Sequence, residues 1–429
     1  MSTSKRVFYA EYKFFLSICL LFVILAFIFD RPADIFYGLG RIFTHRGLLI
    51  TDYMVVGGFG AAIINSTLAC LFGVAILYIM GAKPTGAAIM SLWMTAGWTY
   101  WGANVLNILP LTCGVWLYSR YKKAPFSNYV VAALLCHTIA PIASLFYFSN
   151  PIMLHLGADW HISLNILIGV SVGLLIGFIL PGVLASMVRV HDGFTLYNMG
   201  VAGGMIAMLV AAVFKGFGIV VPTESMWYAD RQFEIAVFLY VVFAALILAG
   251  VFLGRAKKAK HLSSFKELLA QSGHAPNDFY SLFGDTAYIN MGLLGVLGTT
   301  WALVLGCQLN AGTFACIFSM VAFGCLGKHI RNVLPLLLGA TLCAYVNVLD
   351  FTSPANTLAI LFSTCLAPIA GKYGVICGIV AGFLHVLIVV HIGPVTNGLN
   401  LYNNGFASGF VAIILVPIIV ALKNVRRGE

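Results

Sequence analysis

From Phe14 to Phe29 the chain holds no charged side chain and almost nothing polar, and runs of this kind recur to the C-terminal end. A stretch approaching twenty apolar residues is what an α-helix needs to cross about 30 Å of hydrocarbon. Inside that layer every backbone N–H and C=O must be satisfied within the protein, which leaves helices or closed barrels. The ten-residue alternating segments of a barrel are absent. Composition agrees: 61% of the 429 residues are hydrophobic and 9% charged, where soluble domains carry roughly a quarter charged. The expected class is an all-α polytopic membrane protein with about 12–14 transmembrane or half-spanning helices.

Basic residues collect at the ends of the runs. Lys5, Arg6 and Lys13 precede the first, which has no small-residue cleavage site behind it and reads as an uncleaved helix with a cytoplasmic N-terminus. Arg120 to Lys123, Arg189 with His191, Arg255 to Lys266, Lys328 to Arg331, Lys372 and Lys423 to Arg427 all thread to the cytoplasm in one consistent path. Residues 30–53, 150–161 and 222–234 then form external loops. The net charge of +10 is therefore a membrane-orientation signal rather than a nucleic-acid footprint. The region 87–118, broken by Gly97, Gly102 and Pro110, is too long for one span and short for two, and predicts a pair of half-spanning helices. Ser264-Phe265-Lys266-Glu267 has capping-box spacing and predicts a short amphipathic surface helix.

Three motifs occur twice, in the same order. Asn107-Ile108-Leu109-Pro110 matches Asn332-Val333-Leu334-Pro335, Ala140-Pro141-Ile142-Ala143 matches Ala367-Pro368-Ile369-Ala370, and Leu196-Tyr197-Asn198 matches Leu401-Tyr402-Asn403. The separations are 225, 227 and 205 residues, so an insertion near 145–165 in the first copy accounts for the drop. The organisation predicted is an N-terminal helix and external loop (1–49), repeat one (50–220), a linker helix and basic loop (221–282) and repeat two (283–429). Repeat one starts outside and repeat two inside, with the helix 235–253 performing the flip. This is the inverted-topology arrangement in which transporters hold substrate near the midplane between repeats.

The Leu-Tyr-Asn segments are polar and glycine-rich in an otherwise apolar chain. Thr195, Tyr197, Asn198 and Gly200 in the first copy, and Asn397, Asn400, Tyr402, Asn403, Asn404 and Gly405 in the second, are the candidate substrate-binding residues. Asn side chains at a helix start present amides to a polar solute, and the tyrosines would flank it. The competing reading is a pair of capped turns at the membrane edge followed by small residues for helix packing. His137, Thr138, Pro141, Asp192, Thr364 and Pro368 are candidates for the pathway or for coupling. Proline inside a helix frees a carbonyl one turn earlier, and ionisable residues at membrane depth are functional candidates by default. Each Thr could equally bond its own helix.

GxxxxGK[ST], GxSxG and HExxH are missing, and the ten cysteines are scattered singly. No catalytic residue, metal or cofactor is therefore expected. The expected partners are the lipid bilayer and a small polar solute, without nucleic acid; self-association is compatible with the sequence.

Leu401-Tyr402-Asn403-Asn404-Gly405-Phe406-Ala407-Ser408-Gly409-Phe410 resembles the signature of an uncharacterised family of bacterial multi-span membrane proteins. That resemblance covers nearly the whole chain and implies a bacterial inner membrane, but carries no activity. The paired segments are also faintly similar to urea transporters, whose halves repeat a longer Leu-Tyr-Gly-[Tyr/Phe]-Asn-Gly motif, and this likeness implies a small neutral polar solute. The expected function is a transporter or channel moving a small polar solute between two inverted repeats, with both termini cytoplasmic. The alternatives are an intramembrane enzyme acting on a lipid-linked substrate through His137, His191, Asp192 or His391, and a structural membrane subunit.

Overall fold

The computed structural model describes residues 9–46, 51–157, 161–221, 225–256, 261–274, 277–392 and 403–427. The described residues are helical throughout, joined by turns. The chain begins with α1 (Ala10–Phe29), α2 (Pro32–Thr44), α3 (Tyr53–Gly57), α4 (Phe59–Ile79), α5 (Gly86–Trp98) and α6 (Val105–Tyr121). Next come α7 (Val130–Leu135), α8 (Pro141–Ser149), α9 (Pro151–Leu156), α10 (Ile162–Val190), α11 (Asn198–Gly216) and α12 (Gln232–Ala256). The rest is α13 (His261–Ala270), α14 (Phe279–Phe283), α15 (Thr286–Val304), α16 (Ala311–Ala322), α17 (Ile330–Val346), α18 (Pro354–Phe362), α19 (Ala367–Tyr373), α20 (Val375–Ile392) and α21 (Asn403–Arg427). Among the described residues nine helical stretches are long and apolar enough to cross a membrane, taking 354–373 as one. A tenth crossing results if the pair 126–138 and 141–156, bent by 50°, is a single broken span.

Two sequence expectations change. Residues 30–53 are not a plain loop: Pro32 opens α2, which buries Ile35, Leu39 and Ile42 and leaves Phe36 and Tyr37 exposed. Such a two-faced helix buries one apolar stripe and leaves the other face free. Pro141 and Pro368 do not lie in helix interiors. Each occupies the first turn of a new helix, after a 3₁₀ turn at Cys136–Thr138 or Ser363–Leu366. Proline is tolerated there because a first-turn N–H has no helical partner in any case.

The chain divides into two compact units. The first comprises Met1–Gly182, Ala212–Asp230 and Asn310–Ala315; the second comprises Val183–Ala211, Arg231–Leu309 and Cys316–Glu429. Helices α10, α11 and α16 thus each contribute to both.

In the first unit α5 and α6 form a hairpin. Thr95 on α5 pairs with His137, and Gly102 beyond it packs on Pro141, so α5 runs parallel to the α7–α8 stretch. Thr112 on α6 bonds the Ala133 carbonyl while Asn107 bonds Ser144, so α6 runs antiparallel to that stretch. The second unit repeats the arrangement around α15. Gly298 faces Ile317 and Met320 on α16, and Trp301 bonds Thr341 on α17, while Asn290 meets both ends of the 324–328 turn. The arms α16 and α17 are therefore antiparallel, as the half-spanning pair in the first repeat predicts.

Matched positions keep matched bonds. The Asn65 amide donates to the carbonyls of Thr99 and Ala103 at 2.7 and 3.0 Å, and Asn290 donates to those of Gly324 and Lys328 at 2.8 and 2.7 Å. Reciprocal caps by Asn104 with Asn107 and by His329 with Asn332 start α6 and α17. A Cβ on Gly177 would strike the Leu111 carbonyl, and one on Gly382 the Leu336 carbonyl. The 205-residue spacing of those glycines agrees with an insertion, here α9 and its flanks, in the first half.

Candidate functional site

Three breaks in regular structure meet inside the second unit. The first is the hairpin tip between α16 and α17, where a 3₁₀ turn at Phe323–Cys325 ends one arm and Gly327, at φ +129°, turns the chain into the cap of the other. The second is the stretch 191–197 between α10 and α11. The third is the 3₁₀ turn Ser363–Leu366. The Leu196 N–H donates to the Cys365 carbonyl at 2.9 Å, and Thr195 and Ser408 share a 2.7 Å hydroxyl bond, which ties the second break to the third and to α21.

Lys328 lies at the meeting point with 0% of its surface exposed. Its ammonium donates to the Tyr197 hydroxyl at 2.6 Å and to Thr364 Oγ1 at 2.9 Å. It is 4.4 Å from the Tyr197 ring centroid and 5.7 Å from that of Phe323. Aromatic faces attract a cation, yet among the described residues no carboxylate pairs with this one. A buried charge without an opposite partner carries a desolvation penalty of several kcal/mol. Lysine has three N–H donors, and two are used. The backbone carbonyl of Lys328 bonds Asn290 in the second turn of α15, so the site lies level with a helix long enough to cross a membrane.

Sequence reasoning missed Lys328 by grouping it with His329 and Arg331 as a cytoplasmic basic cluster. Arg331 is exposed, but Lys328 and His329 are buried. The 225-residue register carries the missing signal: it aligns Lys328 with Ala103, inside the half-spanning pair.

Of the residues singled out in sequence, Tyr197 and Thr364 belong to this cluster, with Thr195 beside it. Thr364 also donates to the Leu361 carbonyl at 2.8 Å. Asn198 is paired within the protein rather than presenting an open amide. Its Nδ2 donates to the Leu184 carbonyl at 3.0 Å, and its Oδ1 lies 3.0 Å from His191 Nε2. Burial holds His191 below the usual histidine range, against the raising influence of that bond to Asn198. Gly200 packs on Gly405, where a Cβ on the latter would come 2.6 Å from the Gly200 Cα, which is helix packing. Asn404 Oδ1 is 3.2 Å from His385 Nε2. Asn403 begins α21, while Asn397, Asn400 and Tyr402 lie outside the described residues. Asp192 is exposed at φ 47°, and its carbonyl, not its carboxylate, accepts a 2.7 Å bond from His274. In the first unit His137 Nδ1 donates to the Leu134 carbonyl at 2.7 Å, Thr138 bonds the Leu135 carbonyl, and Pro141 packs on Gly102. Pro368 opens α19. His391 is exposed at the end of α20.

The segment after α13 closes over the three breaks. The Gln271 carbonyl accepts from His329 Nε2 at 2.8 Å, Gly273 abuts Gly327, Ser272 abuts Gly371, and His274 lies 4.3 Å from the Phe194 ring. A crevice of about 160 Å³, lined by Gln271, His329, Arg331, Asn332 and Gly371, opens beside it.

A second buried polar centre belongs to the first unit. The Asp52 carboxylate accepts from the backbone N–H groups of Met54, Tyr228 and Ala311 at 2.8, 3.1 and 2.9 Å, and Ala311 is the first residue of α16. Burial pushes its pKa up to about 6, with the donated N–H groups pulling the other way. Among the described residues there is no group of three or more His, Cys, Asp or Glu side chains that could hold a metal.

Crossing helices in number, two hairpins and an ionisable side chain buried among helix breaks define the class as a polytopic all-α membrane protein. The chain belongs to the family described as protein of unknown function (DUF1576), whose pattern it matches over residues 31–216 and 257–421. No curated protein and no solved structure matches it.

Proposed function

We propose that this protein is a transporter or channel that carries a small polar solute across a membrane past the Lys328–Tyr197–Thr364 cluster. The observation that carries the reading is the buried ammonium of Lys328, which lacks a carboxylate partner among the described residues where three helix breaks meet. Irregular backbone at membrane depth persists where it is enclosed by protein or lines a path. Broken helices and buried ionisable side chains are the means by which transporters build solute sites. Topology supports an inverted relation of the repeats. Four crossings in each repeat (α4, the bent pair, α10, α11; α15, α18–α19, α20, α21) return the chain to its starting side, and α12 alone then changes sides. Ten crossings in all would leave both termini on one side, which the basic residues mark as cytoplasmic in a bacterial inner membrane.

The test is solute flux into proteoliposomes. Lys328→Met and Tyr197→Phe are expected to reduce flux while the protein stays folded, and Asn198→Ala is expected to lower stability by about 1 kcal/mol, as loss of an internal hydrogen bond does, without a specific loss of flux. Normal flux in the first two variants would remove the cluster from the path.

A further inference from the structure

We propose that the Lys328 cluster binds a small monocarboxylate, which supplies the missing negative charge. This rests on the cluster being the solute site. Two features of the cluster carry it. The ammonium is buried with no carboxylate beside it among the described residues, so an anion bound there would stabilise its charged form against desolvation. One ammonium N–H remains after the bonds to Tyr197 and Thr364. The Tyr197 hydroxyl accepts from Lys328 and is itself paired with Ser319, which fixes the ammonium in place. A carboxylate oxygen would accept that remaining N–H, and charge-assisted bonds of this kind are the strong ones.

Size follows from the packing. The rings of Tyr197, Phe323 and Phe362 surround the point, with Phe323 and Phe362 centred 5.0 and 5.8 Å from Tyr197. The shorter the acid, the less these rings must move to admit it. The matched position in repeat one is Ala103, so the charge belongs to one repeat only and the ligand site is asymmetric. The neutral solute implied by the urea-transporter likeness would leave the ammonium unpaired.

Purified full-length protein is melted in acetate, formate, chloride or urea at equal ionic strength, and the same solutes are offered to proteoliposomes. Acetate or formate is expected to raise the wild-type melting temperature more than chloride or urea does. Lys328→Met is expected to abolish that rise, and Tyr197→Phe, which removes a bond that positions the ammonium, to weaken binding by about tenfold. Carboxylate protection in the wild type that equals chloride, or that persists in Lys328→Met, overturns the proposal. If Lys328→Met does not fold, an absence of wild-type protection or an undiminished Tyr197→Phe affinity still overturns it. Lys328-dependent protection without flux of any solute supports the carboxylate site and removes the transport reading. Flux of urea without carboxylate protection does the reverse.

Discussion

At the scale of single residues, two buried polar side chains set stability, and each makes a testable difference. Asn290 holds two carbonyls of the hairpin tip with one amide, and its own Oδ1 has no partner among the described residues. Asn290→Leu leaves both carbonyls unpaired away from water, and is expected to lower unfolding free energy by about 2–4 kcal/mol, read by thermal or denaturant melts. Asp52 adds a pH dependence. Its folded pKa, about 6, exceeds the ordinary 3.8, so between those values the folded protein binds a proton that the unfolded chain releases. Stability is therefore expected to fall as pH rises from about 4 to about 6 and to level off above. Asp52→Asn should flatten that slope, and melts across the range check it. Neither role was legible in sequence. Asn65 and Asn290 lie outside the three repeated motifs, and the Asp52 partners Tyr228 and Ala311 are far away along the chain.

At the scale of elements, the crossing helices were readable because hydrocarbon demands long apolar runs, whatever their neighbours. The half-spanning pair 87–118 was readable too, from its length and from Gly97, Gly102 and Pro110. Repeat two lacks an equally clear sign, since 313–327 and 332–348 each pass for a short span and only the packing against α15 reveals a hairpin. The prolines marked the third break but not its form, because a sequence does not distinguish a kink from a 3₁₀ turn followed by a new helix. The strap 271–274 is an element with a function of its own to test. A Cβ at Gly273 would collide with the Gly327 carbonyl, and one at Gly371 with the Ser272 carbonyl. Gly371→Ala is expected to loosen the strap, seen as faster amide hydrogen exchange over 271–274 with the exchange of α12 and α15 unchanged.

At the scale of the whole molecule, the duplication joins sequence and structure. The Asn clamps, the caps and the glycine contacts recur at the 225- and 205-residue separations that the motifs predict. Inversion of the repeats is testable at their matched loops. Single cysteines at Lys83 and Gln308, in a background without reactive native thiols, are expected to label from opposite sides of the membrane; labelling from one side would contradict the inverted topology. The site itself was half legible. Tyr197 and Thr364 were singled out as polar residues at breaks, while Lys328 was not, because three segments more than thirty residues apart build one cluster. The most direct measurement is solute uptake by wild-type and Lys328→Met protein at equal density in proteoliposomes. The expected result is uptake by the wild type and its loss in a folded Lys328→Met protein. Equal uptake by the two would contradict the account.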